Sequence, residues 1–383
     1  MGVFKRIINF FKTPYRSVIN RNSRWFSFFN KDLATNETIF SAVSILSNAI
    51  ASAPIGVYRD YEKLKPKESS LARLFEYGPN SFQTTFQFIR LMETLRNTKG
   101  AAYAIKEYGY MGEVEKLWVL NPDYVVPILE NESRELYYEV RENGNLVYVH
   151  SEHIIAVNHT TTDGYTPISP LNVLRNTIDY DREVKEFSLN QMKNGLKANV
   201  IIKLQSKLSE EAIDQYNLMM DKFKDNGVLY VDNGKEFQEL KSSTFIDPNV
   251  AAVEGITVER VEKVYNMPGK LTGKASNVED LLYIKDTILP IVRMYEQEFT
   301  KKCIPITNRD EGEKVKLSLN GFARADMKTR GEFYFKGIRS SWFCADEIRA
   351  LEDMPPIKNG DIFYVSKDLI PVDMVRDLNT KKN

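Results

Sequence analysis

Hydrophobic positions along this chain alternate between two spacings, and the changes between them mark its regions. Ile39, Ala42, Val43, Leu46, Ala49 and Ile50 recur at helical spacing after Thr35-Asn36-Glu37, and Pro54 ends the run. Ile55 to Arg59 reads as a strand and Lys63 to Lys67 as a charged loop. Leu71, Leu74 and Phe75 predict a short helix closed by Gly78-Pro79-Asn80. Phe82, Phe86, Ile89, Leu91, Met92 and Leu95 predict a longer one closed by Gly100. From Ala101 to His159 the period falls to two, predicting strands at 103–105, 117–119, 124–128, 137–141, 146–149 and 154–157. Asn143-Gly144 carries the strongest hairpin signal.

Ser169-Pro170 then supplies an N-cap and a first-turn proline for a helix running to Gly195, about 37 Å long. Its charges are evenly mixed and its large apolar residues few, so it is suited to packing against copies of itself or lining a wet space. A small module follows: a strand at 200–204, a helix from Ser209 to Lys224, and strands at 228–231 and 236–241. It is too small to stand as an ordinary domain. A helix over 249–265, a break at 267–277 and a last long helix from Val278 to Lys301 come next. Pro290 predicts a kink inside that last helix. A strand at 315–320, helices at 325–340 and 346–353 and a polar tail complete an α+β chain.

Length and composition narrow the function. The 383 residues, 43% of them hydrophobic, exceed one compact domain. Fifty-two basic residues balance 52 acidic ones, which disfavours a globally basic nucleic-acid binder. Cys303 and Cys344 form neither a disulfide framework nor a zinc pattern. No apolar run is long enough to span a membrane. Residues 1–31 carry seven Lys or Arg and no acid, interleaved with Val3, Phe4, Ile7, Ile8, Phe10 and Phe11. This arm resembles an interfacial amphipathic segment, but a basic tail docking on a partner subunit is the favoured reading.

Candidate chemistry is sparse. His150, His153 and His159 lie close in sequence, yet their spacing matches no helix-borne ligand pair, so structural roles outweigh a metal-dependent hydrolase. No nucleophile elbow and no phosphate-cradling glycine loop occurs, so no catalytic residue, metal or cofactor is assigned. The break Met267-Pro-Gly-Lys-Leu-Thr-Gly-Lys-Ala-Ser-Asn277 holds Lys270 and Lys274, two glycines and no acid. Such a loop can touch phosphates without reading bases; its plainer reading is a solvated helix–helix connection.

Several landmarks together resemble the portal protein family of long-tailed phages. They are Ser47-Asn-Ala-Ile-Ala-Ser-Ala-Pro54 before Val57-Tyr58, Gly78-Pro79-Asn80 with Phe82 and Phe86, and Lys99-Gly100-Ala101-Ala102-Tyr103. Leu120-Asn121-Pro122, Glu152-His153-Ile154 and Ser169-Pro170-Leu171 follow, then Met267-Pro268 through Gly273 and Leu289-Pro290. Asp326-x-x-Thr329-Arg330, Asp346-Glu347-Ile348-Arg349, Pro355-Pro356 and Gly360-Asp361 close the series. Ala101 stands where the family has Asn, Gly269 replaces a second proline, and Asp346 replaces Asn.

The resemblance implies an α+β portal-type subunit assembled as a ring, usually of twelve. Residues 32–168 and 278–322 would form a mixed α/β wing, with the arm 1–31 ahead of it. Helices 169–195 and 247–266 would form the stem, 196–246 a small α/β clip, and 323–383 a helical crown with the C-terminal tail. The tunnel loop 267–277 would face DNA with Lys270, Thr272, Lys274 and Asn277. The clip would meet a terminase motor or adaptor with Tyr230, Asp232, Asn233, Lys235 and Glu236. Implied partners are further copies of the chain, translocated double-stranded DNA, the terminase large subunit, the major capsid protein or scaffold, and a head–tail adaptor. The place would be the virion's portal vertex, assembled in the host cytoplasm, with no membrane. A different capsid-vertex protein such as a head–tail adaptor is the rival; the helix–module–helix–loop–helix order speaks against it.

Overall fold

The structure is a computed structural model that describes residues 36–110, 112–142, 145–195, 200–203, 214, 236–239, 248–319, 327–352 and 354–364. It divides into two compact units, one of residues up to Ser52 with Gly56–Val315, the other of Ala53–Ile55 with residues from Lys316. The division falls within the strand Glu313–Leu317. The Ser318 amide donates to the Pro54 carbonyl at 2.8 Å, which ties residues 53–55 to the second unit.

In the first unit, α1 (Glu37–Ser52) starts where the Asn36 side chain accepts the Ile39 amide at 3.1 Å, and it buries Ile39, Ala42, Val43, Leu46 and Ile50. β1 (Ile55–Arg59) pairs with the short β2 (Glu62–Lys63). Ser69 caps α2 (Ser70–Tyr77). Thr84 and Gln87 form a capping box at the start of α3 (Thr85–Lys99). Gly100 ends α3 in the left-handed region at φ 88°, its amide on the Arg96 carbonyl. A Cβ there would sit 2.5 Å from the Ile168 carbonyl oxygen, so two constraints select glycine.

Two antiparallel sheets follow. β3 (Ala101–Tyr108) lies between β4 (Val114–Leu120) and β8 (Ile154–Asn158). β5 (Val125–Leu129), β6 (Leu136–Glu142) and β7 (Asn145–His150) form the second sheet in sequence order. Glu142 stands opposite Asn145, the register that a two-residue hairpin connection requires. Alternate residues of both sheets meet in one core of Ala101, Tyr103, Ile105, Leu120, Val125, Tyr138, Val140, Val149 and Ile154. The Tyr103 and Tyr138 rings touch there at 5.4 Å. A two-residue pair, β9 (Thr160–Thr161) with β10 (Pro167–Ile168), leads to the next helix.

α4 (Pro170–Gly195) packs along α5 (Pro248–Val264), close to the spans that helical spacing predicts. Val173, Tyr180 and Phe187, seven residues apart, are exposed on α4. Between the two helices, β11 (Val200–Lys203) pairs with β12 (Glu236–Glu239). The predicted helix 209–224 and strand 228–231 lie outside the described residues, apart from helical Asp214. α6 (Asn277–Tyr283) passes through a π-turn (Ile284–Ile288) into α7 (Leu289–Cys303). The π-turn lies just ahead of Pro290, and the Asp286 carbonyl, four residues before the amide that proline lacks, accepts from Asn266 instead. α8 (Ile306–Asp310) leads to β13 (Glu313–Leu317), and Glu313 holds Arg59 at 2.5 Å.

The second unit contains α9 (Met327–Arg339) and α10 (Ala345–Leu351). Tyr334 donates to Glu352 at 2.6 Å and joins the two helices. The Asp346 carboxylate accepts the Ile357 amide at 2.9 Å and lies beneath Gly360, where any Cβ would meet it. That contact explains the Asp346…Gly360 spacing seen in the sequence. Among the described residues no helix is long and apolar enough to cross a membrane.

Candidate functional site: the anchored loop between α5 and α6

The 267–277 segment is a built hairpin of backbone rather than a slack connection. Glu262, buried near the end of α5, points its carboxylate back into it. One oxygen accepts the Leu271 and Thr272 amides at 2.8 and 3.0 Å, and the other accepts the Gly269 amide at 3.1 Å. The Thr272 hydroxyl also reaches Glu262, at 3.4 Å. Successive amides converging on one carboxylate form an anion nest whose anion is supplied by the chain itself.

The rim closes on the Gly269 carbonyl, which accepts the Lys274 and Ala275 amides at 3.0 and 3.1 Å. Gly269 and Gly273 adopt φ of 71° and 67°. Proline, fixed near −65°, is excluded from such a conformation, which accounts for Gly269 where the family resemblance expects a second proline. A Cβ at Gly269 would also lie 2.8 Å from the Ala275 backbone.

Both ends of the loop are clamped. Met267 is fully buried and its amide returns to the Glu262 carbonyl at 2.8 Å. Asn266, left-handed at φ 52°, donates from Nδ2 to the Asp286 carbonyl at 3.3 Å, and its own carbonyl accepts the Thr287 hydroxyl at 2.5 Å. Both partners sit in the π-turn, whose widened geometry frees carbonyls for outside donors. At the far end Ser276 and Glu279 form the capping box of α6.

The loop side chains do not all present themselves as the sequence suggests. Lys270 folds back: its Nζ lies 2.5 Å from Asp280 Oδ1 and 5.0 Å from the Tyr283 ring centroid. A partly exposed pair of this kind is worth about 0–1 kcal/mol, and the ring adds roughly as much. Thr272 is exposed but committed to Glu262. Lys274 is exposed, and Asn277 begins α6. Of the expected clip residues, Tyr230, Asp232, Asn233 and Lys235 lie outside the described residues; Glu236 opens β12 opposite Lys203. Sequence reading missed Glu262, Asp280 and Tyr283. The sequence signal for Glu262 is an acid six residues before Pro268-Gly269; none marks the other two.

Below the loop lies a fully buried polar joint. Glu93 of α3 holds Arg96 and Asn97 at 2.9 Å each and accepts the Tyr295 hydroxyl of α7 at 3.1 Å. Burial pushes the Glu93 carboxyl up, against the pull of Arg96, Asn97 and Tyr295. Arg96 also donates to the Asn158 carbonyl at 3.1 Å, and Tyr265 at the end of α5 donates to the Asn97 carbonyl at 3.0 Å. Burial, reinforced by the Glu93 charge, raises Tyr283 as well, and its buried hydroxyl has no partner.

The histidines are each engaged locally. His150 accepts the Glu152 amide at 3.3 Å, His153 Nδ1 meets the Tyr108 hydroxyl at 2.9 Å, and His159 Nδ1 meets the Thr160 hydroxyl at 3.1 Å. No group of three His, Cys, Asp or Glu among the described residues is placed to hold a metal ion.

An α+β body with two three-stranded antiparallel sheets, a long helix pair and an anchored loop leading into a π-interrupted helix make up the first unit. The phage portal protein family matches residues 37–353, and the chain belongs to that family. The portal protein of Enterobacteria phage HK97 is 22% identical over 365 residues, covering 90% of this chain and 84% of that one. The probable portal protein of Streptomyces phage phiC31 is 21% identical over 348 residues, covering 84% and 75%. Among solved structures, a chain from the neck of an empty GTA particle computed with C6 symmetry matches with a TM-score of 0.62. It is 15% identical over 85% of this chain and 92% of that one. An HK97 family phage portal protein from Corynebacterium diphtheriae matches at 0.52, with 14% identity over 77% and 96%. At these identities the structures speak for the fold.

Proposed function

We propose that this chain is the ring subunit of a phage portal vertex, a conduit for packaging and ejecting double-stranded DNA. Residues 32–168 with 278–322 form its wing, 169–195 and 247–266 its stem, 196–246 its clip and 323–383 its crown. The ring, of about twelve copies, sits in the virion next to the capsid protein or scaffold. The clip receives the terminase large subunit during packaging and a head–tail adaptor afterwards. The exposed Val173, Tyr180 and Phe187 row on α4 suits contact with a neighbouring copy. Neck particles among the structural relatives, solved with C12 and C6 symmetry, support ring assembly.

The observation that carries the reading is the loop: a fixed, acid-anchored backbone bearing only a small basic payload. Duplex DNA presents about one charge per 1.7 Å of axis, and neutralising many phosphates at once gives tight, salt-sensitive binding. A conduit must avoid that grip. A near-neutral subunit with one small basic loop forms a weak, sequence-blind collar instead. The test is a Lys270→Ala/Lys274→Ala double variant in a packaging assay. Intact rings with altered packaging or DNA retention are expected; normal packaged length and normal retention would sink the collar.

A further inference from the structure

The collar reading treats Lys270 and Lys274 alike, but their surroundings differ. Lys274 is exposed. Lys270 lies back across the Tyr283 ring with its ammonium on Asp280, while Glu262 fixes the backbone beneath it. We infer that Asp280 and Tyr283 are positioning residues that withhold the Lys270 cation from DNA phosphates. The loop then offers DNA one cation at rest and a second only when a phosphate displaces Asp280. This inference rests on the collar reading.

The chemistry favours exchange rather than permanent withdrawal. A phosphate oxygen and a carboxylate oxygen are equivalent partners for an ammonium, and the existing pair is partly exposed, so water already competes for it. The backbone need not move, because the Glu262 bonds hold residues 269–272 whichever anion Lys270 meets. Lys270 swings by rotation about its own side-chain bonds alone. The latch therefore sets how many ions DNA displaces per subunit, which is what the salt dependence of binding reads.

The test uses purified rings of the full chain and a duplex DNA fragment, with binding followed across a salt series. Asp280→Asn is expected to steepen the slope of log K against log salt, by up to about 0.9 for each further phosphate that a freed Lys270 neutralises. Asp280→Glu should restore the native slope. Adding Lys270→Gln to Asp280→Asn should abolish the steepening; a steeper slope that survives without Lys270 would reflect the lost negative charge alone and overturn the latch. A native slope in Asp280→Asn, with Lys274→Gln still lowering it, overturns the latch and leaves the collar standing. Native slopes in both overturn the two together. If Asp280→Asn rings do not assemble, Lys270→Gln in the otherwise native ring decides: the latch requires a smaller loss than Lys274→Gln gives, and equal losses refute it.

Discussion

Two buried carboxylates, Glu93 and Glu262, hold the region around the loop together by opposite means. Glu93 is 0% exposed, and its partners are side chains, one of them Tyr295, 202 residues away. Glu262 takes its bonds from the loop it anchors, all within ten residues. A buried charge facing another charge is a high-stakes joint: its net worth is small, but removing one partner strands the other. A charge facing backbone amides near the surface is forgiving, since water replaces what is lost. The first arrangement suits a body that must not change and the second a loop that works at a wet surface.

That contrast makes graded predictions. Glu93→Ala leaves the Arg96 guanidinium buried without its counter-ion and is expected to cost about 3–5 kcal/mol, read as a large drop in chemical-denaturation midpoint. A cost below about 1 kcal/mol would erase the distinction. Glu262→Ala should cost only about 1–3 kcal/mol, because the exposed side of the loop can hydrate. Its signature should be local: faster proteolysis within 268–275 at unchanged cleavage elsewhere, with Glu262→Gln intermediate.

The smallest effect concerns pH. Burial, helped by the nearby Arg96 charge, lowers the His159 imidazole from 6.5 to about 4. The unfolded chain therefore binds a proton between those values that the folded chain refuses. The His159 contribution is complete above about pH 6.5 and is lost as pH falls towards 4. Discounted for its partial exposure, the loss is about 1 kcal/mol. His159→Gln should flatten thermal stability across that window relative to the native chain; parallel profiles would count against the shift.

Much of the architecture is legible in the sequence because its signals are local. The helical spacing from Phe82 to Leu95, Gly100, Ser169-Pro170 and the period-two run from Ala101 all act within a few residues, and their elements form as the spacing predicts. The site is less legible. Lys270 looks free because the loop contains no acid; its partner arrives from α6, ten residues on, once the capping box has set the helix direction. Glu93, Tyr295 and Tyr265 are brought together by packing of α3, α5 and α7, and no spacing encodes that meeting. The clip expectations rest on residues mostly outside those described.

The π-turn also changes the phase of the helix that contains it. Leu281, Ile288 and Tyr295 form a perfect heptad series, and a continuous helix would turn all three to the same side. Ile288 and Tyr295 are 0% exposed, yet Leu281 is 68% exposed. One surplus residue in the turn rotates everything before it by about 100°, carrying Leu281 and Val278 outward and Tyr283 inward. A single-codon deletion of Ile284 or Ile288 would reset that angle. It would drive the two aliphatic side chains towards the interior and expel the ring on which Lys270 rests. An indel there acts as a rotation rather than a shortening, and the loop's electrostatics would change with no charged residue touched.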